Sequence, residues 1–154
     1  LYGLYPDSRG IPEVVRLMTA SPGFLAAYGG MMDFWKSHKT LSFHVLAAIR
    51  YLASEECQFN CCIDHNAQLL MASGMSGDEL IEMKKDPRNG PFEPRENELL
   101  AFVLDAMRDK AAATPERIEK LRELGWTDPE IFEATFHGVG MKANSQVFDI
   151  FKSE

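Results

Sequence analysis

"SEECQFNCCIDHN", Ser54 to Asn66, is the stretch on which the reading of this chain turns; it holds all three cysteines and one of the four histidines. Before it, Val45, Leu46, Ile49, Leu52 and Ala53 recur at the i, i+3, i+4, i+7 spacing of one buried helical face. Thr40 or Ser42 offers that helix a hydroxyl cap. After it, "CIDHNAQLLMASG" runs as another helix that Gly74 stops, glycine being the natural residue at a helix C-terminus. The cysteines therefore occupy a turn between two helices, with Cys62 where the second begins.

The same punctuation continues outward. A helix follows Pro12, carries Val14, Val15, Leu17 and Met18, and ends near Ser21–Gly23. A second, Phe24 to Trp35, is apolar on most sides, and its Gly29–Gly30 pair allows close approach. On the other side, "SGMSGDELIE" and "LGWTDPEIFE" share glycine, a large apolar residue, a hydroxyl cap and a glutamate three residues later. Ser76 with Glu79, and Thr127 with Glu130, read as capping boxes. Locally, two helix–glycine–helix corners are built alike; the stronger reading is a duplicated helical hairpin. "DPRNGPFEP" (Asp86–Pro94) is the one linker dense in proline and glycine. Beyond it the pattern predicts helices from Glu96 to about Ala112, from Pro115 to Leu124, from Thr127, and from about Met141 to Phe151. No alternating strand of useful length appears. The expected fold class is all-α, in a single domain over residues 1–154.

Composition narrows the function. The 154 residues are 45% hydrophobic and 25% charged, ordinary for a globular domain with a real core. A net charge of −7, with scattered lysines and arginines, leaves no basic field for a nucleic-acid backbone. No apolar run approaches the roughly 20 residues that span a bilayer, and the N-terminal stretch lacks the pattern of a signal peptide. An odd, clustered set of cysteines fits a reducing compartment, so the expected location is the cytoplasm.

Three chemistries fit the cysteine stretch. A thiol at Cys62 on a helix N-terminus feels the positive end of the helix dipole, which favours thiolate. His65 lies one turn from Cys62 and from Cys61 and can exchange a proton, while Cys57 lies across the turn as a second thiol. Together they read as a kit for thiol peroxidase chemistry: attack on peroxide oxygen, a sulfenic acid, then resolution by another thiol. Alternatively, Cys57, Cys61 and His65, four apart, would stack on one continuous helix and, with His44 or His137, could hold zinc. The plainest reading is packing, because free cysteine is among the most buried residues. His44, in "FHVLAAIRYL", and His137, in "ATFHGVGMKAN", also read first as core histidines; the glycines after His137 suggest close packing or a kink. His38 reads as solvent-exposed.

From about Leu41 to Phe151 the chain resembles the AhpD-like alkylhydroperoxidases and carboxymuconolactone decarboxylases. The resemblance rests on "IRYLAS", "CCIDHNAQLLMASGMSGDEL", "ENELLAFVLDAMRD" and "MKANSQVFDIF". It implies an AhpD-like helical bundle that self-associates through its helices. The peroxidase members carry a glutamate, a C-x-x-C pair and a histidine four residues beyond the second cysteine. With Ser54, Ile63 and Gly74 aligned, the attacking cysteine falls on Cys62, the first cysteine on Phe59, the histidine on Asn66 and the glutamate on Ala47. Sliding by one places them on Cys61, Gln58, His65 and Leu46. Cys57 would then replace the missing resolving thiol, His65 the base, and His44 or Glu55 the relay. The decarboxylase branch needs anchors for a carboxylated lactone, and Arg50 on the core-facing helix is the one candidate.

The resemblance thus implies a thiol-dependent peroxidase with Cys62, Cys61, Cys57 and His65 as catalytic residues. His44, Phe59, Asn66 and His137 would line its binding site. It calls for no cofactor and no metal; its partners would be a peroxide-like small molecule, a thiol reductant and further copies of the chain, with no nucleic acid and no membrane. A family member that has lost the disulfide cycle and binds a small molecule or metal in the same pocket is the alternative, beside a lyase of the decarboxylase type.

Overall fold

The computed structural model describes residues 13–151. Among the described residues eight α-helices follow in order: α1 (Glu13–Met18), α2 (Pro22–Lys36), α3 (Phe43–Glu56), α4 (Asn60–Ala72), α5 (Gly77–Lys85), α6 (Pro94–Arg108), α7 (Pro115–Glu123) and α8 (Asp128–Phe151). Among the described residues there is no strand, so the fold is all-α. No described helix is long and apolar enough to cross a membrane.

α3 is the centre. Its Val45, Leu46, Ala47, Ala48, Ile49, Tyr51, Leu52, Ala53 and Ser54 are all buried, a coverage wider than one amphipathic stripe. α4, α6 and α8 pack around it, and α2 reaches it too. α6 buries a run from Leu99 to Leu104 and faces both α3 and α8. α5 and α7 cover the periphery with one or two buried residues each. Ser42 caps α3, its hydroxyl accepting from the Val45 amide at 3.2 Å.

The two corners are built alike down to the hydrogen bonds. Gly74 and Gly125 both take positive φ, 105° and 88°. Behind them the Met75 amide donates to the Leu70 carbonyl (3.2 Å) and the Trp126 amide to the Leu121 carbonyl (3.0 Å), the closing bonds of a Schellman cap. The capping boxes follow directly: Glu79 accepts from the Ser76 amide at 2.7 Å, and Glu130 from the Thr127 amide at 2.8 Å. The helices they join differ in length, α4 and α5 having 13 and 9 residues against 9 and 24 in α7 and α8. The likeness therefore lies in the corners.

Three elements depart from the sequence expectation. The proline-rich linker is an ordered hook: Pro87–Asn89 forms a 3-10 turn with Pro87 buried. The Asn97 amide ties that hook down by donating to the carbonyls of Gly90 (2.7 Å) and Phe92 (3.2 Å). α6 stops at Arg108, because the Asp109 side chain accepts from the Ala111 amide (2.9 Å) and opens a separate 3-10 turn at Lys110–Ala112. Finally, α8 is one continuous helix through both of its glycines.

Those glycines differ in kind. A Cβ on Gly138 would lie 2.5 Å from Val103 Cγ1 on α6, so this glycine sets how closely α8 meets α6. A Cβ on Gly140, or on Gly30 of α2, would meet nothing within 4 Å. Gly138→Ala is therefore expected to destabilise by about 1–3 kcal/mol through overpacking. Gly140→Ala should instead stabilise by about 0.5–1 kcal/mol through helix propensity. Urea titrations of the two variants check the opposite signs.

Candidate active site around the cysteine turn

The cysteine turn is tight. α3 ends at Glu56, Cys57 is its C-cap, Gln58 takes φ 54°, and Phe59 is the N-cap from which α4 starts. Gln58 is the single non-glycine residue at positive φ among the described residues. That conformation is costly for an L-residue with a Cβ, by about 1–2 kcal/mol. The turn breaks the four-residue spacing of Cys57, Cys61 and His65, leaving Cys57 on the end of α3 and the other two on α4. Among the described residues no three of histidine, cysteine, aspartate and glutamate gather as a metal-binding group.

The three thiols lie in three environments. Cys61 is exposed on the first turn of α4, one helical turn before the half-buried His65. Cys62 is half-buried, with its sulfur 4.0 Å from that of Cys61. That sulfur contact and then burial push the Cys62 thiol far above its ordinary pKa, against a downward pull from Arg50. That direction is opposite to the thiolate expected for Cys62 near a helix N-terminus. Cys57 is raised too, by burial first, with the nearby Lys142 charge opposing. It lines a cavity of about 310 Å³ whose walls include neither Cys61, Cys62 nor His65.

Beneath Cys62 lies a polar cluster that joins α3, α4 and α8. The buried Asn66 donates to the Cys62 carbonyl at 2.7 Å, and its Oδ1 accepts from Arg50 Nε at 2.8 Å. Arg50 Nη1 lies 3.2 Å from Nε2 of the buried His137. A guanidinium only donates, so Nε2 is the acceptor and His137 is neutral with its proton on Nδ1. The hydrogen bond of His137 with the Leu46 backbone fits that tautomer. Asn66 and His137, two of the four expected binding residues, are thus brought together by Arg50. The sequence offered no pairing for Arg50, because its partners stand 16 and 87 positions away. Ser54, also buried here, has a hydroxyl with no hydrogen-bond partner among the described residues.

The remaining candidates lie elsewhere. Phe59, where the family would place its first cysteine, is buried with its ring 5.3 Å from that of Phe148 on α8. His44 is exposed at the start of α3 and lines a cavity of about 410 Å³ with Glu79, Phe92 and Glu96, away from all three cysteines. Glu55 is held by Lys84 of α5 at 2.6 Å and sits beside Tyr51, whose hydroxyl is pushed up to about 12 by burial first and then by Glu55.

His38, expected at the surface, has a side chain only 9% exposed. Its Nδ1 accepts from the Leu41 amide (2.9 Å), so Nε2 carries the proton and donates to Glu133 on α8 at 2.9 Å. Trp35 stands between the two buried imidazoles, 6.4 Å from the His38 ring and 4.5 Å from that of His137.

No protein-family model, curated protein or solved structure matches the chain.

The state of His137 has a measurable consequence. Burial first, then the Arg50 charge, push its imidazole down to about 3, against the Leu46 hydrogen bond. In the unfolded chain the same group takes a proton near pH ~6.5. Its contribution to stability is therefore complete above that value and is lost as pH falls toward the folded pKa, at up to about 1.4 kcal/mol per pH unit. The stability difference between the wild type and His137→Phe should shrink by about that much between pH ~5.5 and ~4.5. Urea titrations at the two pH values decide it; a constant difference means that His137 titrates normally.

Proposed function

We propose that the protein is an AhpD-like, thiol-dependent peroxide reductase in which Cys61 is the attacking thiol. The observation that carries this reading is the exposure of Cys61 on the first turn of α4, one turn from His65. Cys62, half-buried and with its thiol pushed up by the Cys61 contact and by burial, serves as its neighbour and not as the nucleophile. The strained Gln58 next to the thiols supports the same assignment, since backbone strain gathers at functional sites.

In the proposed cycle the Cys61 thiolate attacks one peroxide oxygen and the O–O bond breaks. The other oxygen departs as alcohol or water, with its proton supplied through His65, and Cys61 is left as a sulfenic acid. Because Cys57 lines a cavity whose walls do not include Cys61, resolution falls to an external thiol. One reductant thiol displaces water to form a mixed disulfide with Cys61. A second releases Cys61 and leaves as the reductant disulfide. The Arg50–Asn66 pair holds the first turn of α4 in register by engaging the Cys62 carbonyl.

Iodoacetamide labelling across pH, resolved by mass spectrometry before and after one equivalent of hydrogen peroxide, tests the proposal. Cys61 is expected to label fastest and to be trapped as a sulfenic acid, with Cys57 still a thiol. His65→Ala should slow peroxide consumption by about 10²-fold or more. Slow labelling of all three cysteines, with thiols untouched by peroxide, would end the peroxidase reading.

A further inference from the structure

α8 is apolar on two opposite faces. Inward it buries Ile131, Ala134, Gly138, Met141 and Phe148, and it packs against α3 and α6. Outward, Phe132, Phe136, Val139, Ala143, Val147 and Ile150 advance by four, three, four, four and three residues, so they form a second straight stripe along most of the helix. All six are exposed, Phe132 by 68%, Phe136 by 53% and Ile150 by 73%. The solvent face of a surface helix ordinarily carries charged and polar residues. Here those residues keep to the flanks, with Glu133 and Asn144 on one side of the stripe and Lys142 and Asp149 on the other.

The stripe is large enough to hold a partner. With a whole phenylalanine side chain taken as ~200 Å², its exposed apolar area is roughly 600 Å², the upper end of what a monomer shows as its largest patch. The stems of Lys142 and Gln146 bring a docked area toward the ~800 Å² per partner of a standard stable interface.

Charge and size select the occupant. Lys142 is the one lysine or arginine of α8, and the chain carries a net charge of −7; a helix that lies in a lipid surface needs a basic polar face. Two helices that cross are closest at the crossing and diverge toward both ends. The stripe matches that shape, with Val139 and Ala143 at its middle and the phenylalanines and Ile150 toward its ends. A parallel pair would set the acidic first turn, Asp128 and Glu130, against its own copy, and an antiparallel pair does not.

We propose that the outer face of α8 is the interface of a homodimer, in which two α8 helices cross antiparallel about a twofold axis beside Val139 and Ala143. Val139 then meets the partner's Ala143, Phe136 the partner's Val147, and Phe132 the partner's Ile150. Such an interface is isologous and closes at two copies. It contains none of the cysteines, so it is independent of the peroxide cycle.

Sedimentation equilibrium of the full chain at micromolar concentrations is expected to give twice the 17.3 kDa chain mass. Val139→Glu and Ala143→Lys, each at an exposed position, should each raise the dimer Kd by about tenfold or more while leaving the far-UV circular dichroism unchanged. The two substitutions together bring opposite charges face to face across the antiparallel contact and should recover most of the lost affinity; in a parallel pair they would oppose like charges. A monomer at these concentrations, a dimer indifferent to Val139→Glu, or a double variant as weak as either single one would overturn the proposal. So would co-sedimentation with phosphatidylcholine–phosphatidylglycerol vesicles that Val139→Glu abolishes, which would make the stripe a lipid contact.

Discussion

Arg50 is a cation on the most buried helix of the fold, and its need for acceptors shapes everything near it. A half-buried guanidinium must hydrogen-bond or lose the solvation it gave up. Asn66 on α4 and His137 on α8 meet that need at 2.8 and 3.2 Å. The consequences run outward from there. His137 must stay neutral, because a protonated imidazole cannot accept from Arg50 and would add a second positive charge beside it. Asn66, with its Oδ1 occupied, turns its amide toward the Cys62 carbonyl and anchors the first turn of α4. One side chain therefore sets both the position of the thiol turn and the protonation of the imidazole beneath it.

Around this clamp the packing is conventional, with two points of tight tolerance. Gly138 brings α8 against α6, with Val103 occupying the space a side chain would need. Asn97 ties the proline-rich hook to α6 through its amide hydrogens. Neither feature adds much buried area. Each instead sets a distance that larger apolar contacts then exploit, as interiors packed to crystal density require.

The three thiols show how little proximity in sequence says about shared chemistry. Cys57 and Cys61 stand four positions apart, yet the intervening turn, with Gln58 left-handed and Phe59 buried against Phe148, separates their surroundings. Cys62 touches Cys61 and is kept protonated by that contact and by burial. Only Cys61 combines exposure with a histidine one turn away, which is why the proposed nucleophile is Cys61, the residue of the shifted register, and not Cys62.

Much of the fold was legible in the sequence because it depends on local chemistry. The apolar period of α3, the Ser42 cap, and the Gly74 and Gly125 corners with their capping boxes are all set by residues within a few positions of one another. The elements misread were those in which a distant or unusual partner decides. Asp109 cut α6 short, α8 ran on through Gly138 and Gly140, and Asn97 ordered what read as a linker. The candidate site divides along the same line. That the thiols cluster at a turn between two helices followed from spacing alone, whereas α4 opens at Asn60, two residues before the Cys62 start that the sequence suggested. What each thiol is like was decided by tertiary structure, because burial, the charge of Arg50 and the partners of Asn66 and His137 arise from chain segments up to 87 positions apart. A periodicity can place a side chain on a face; only the packed fold decides what that face meets.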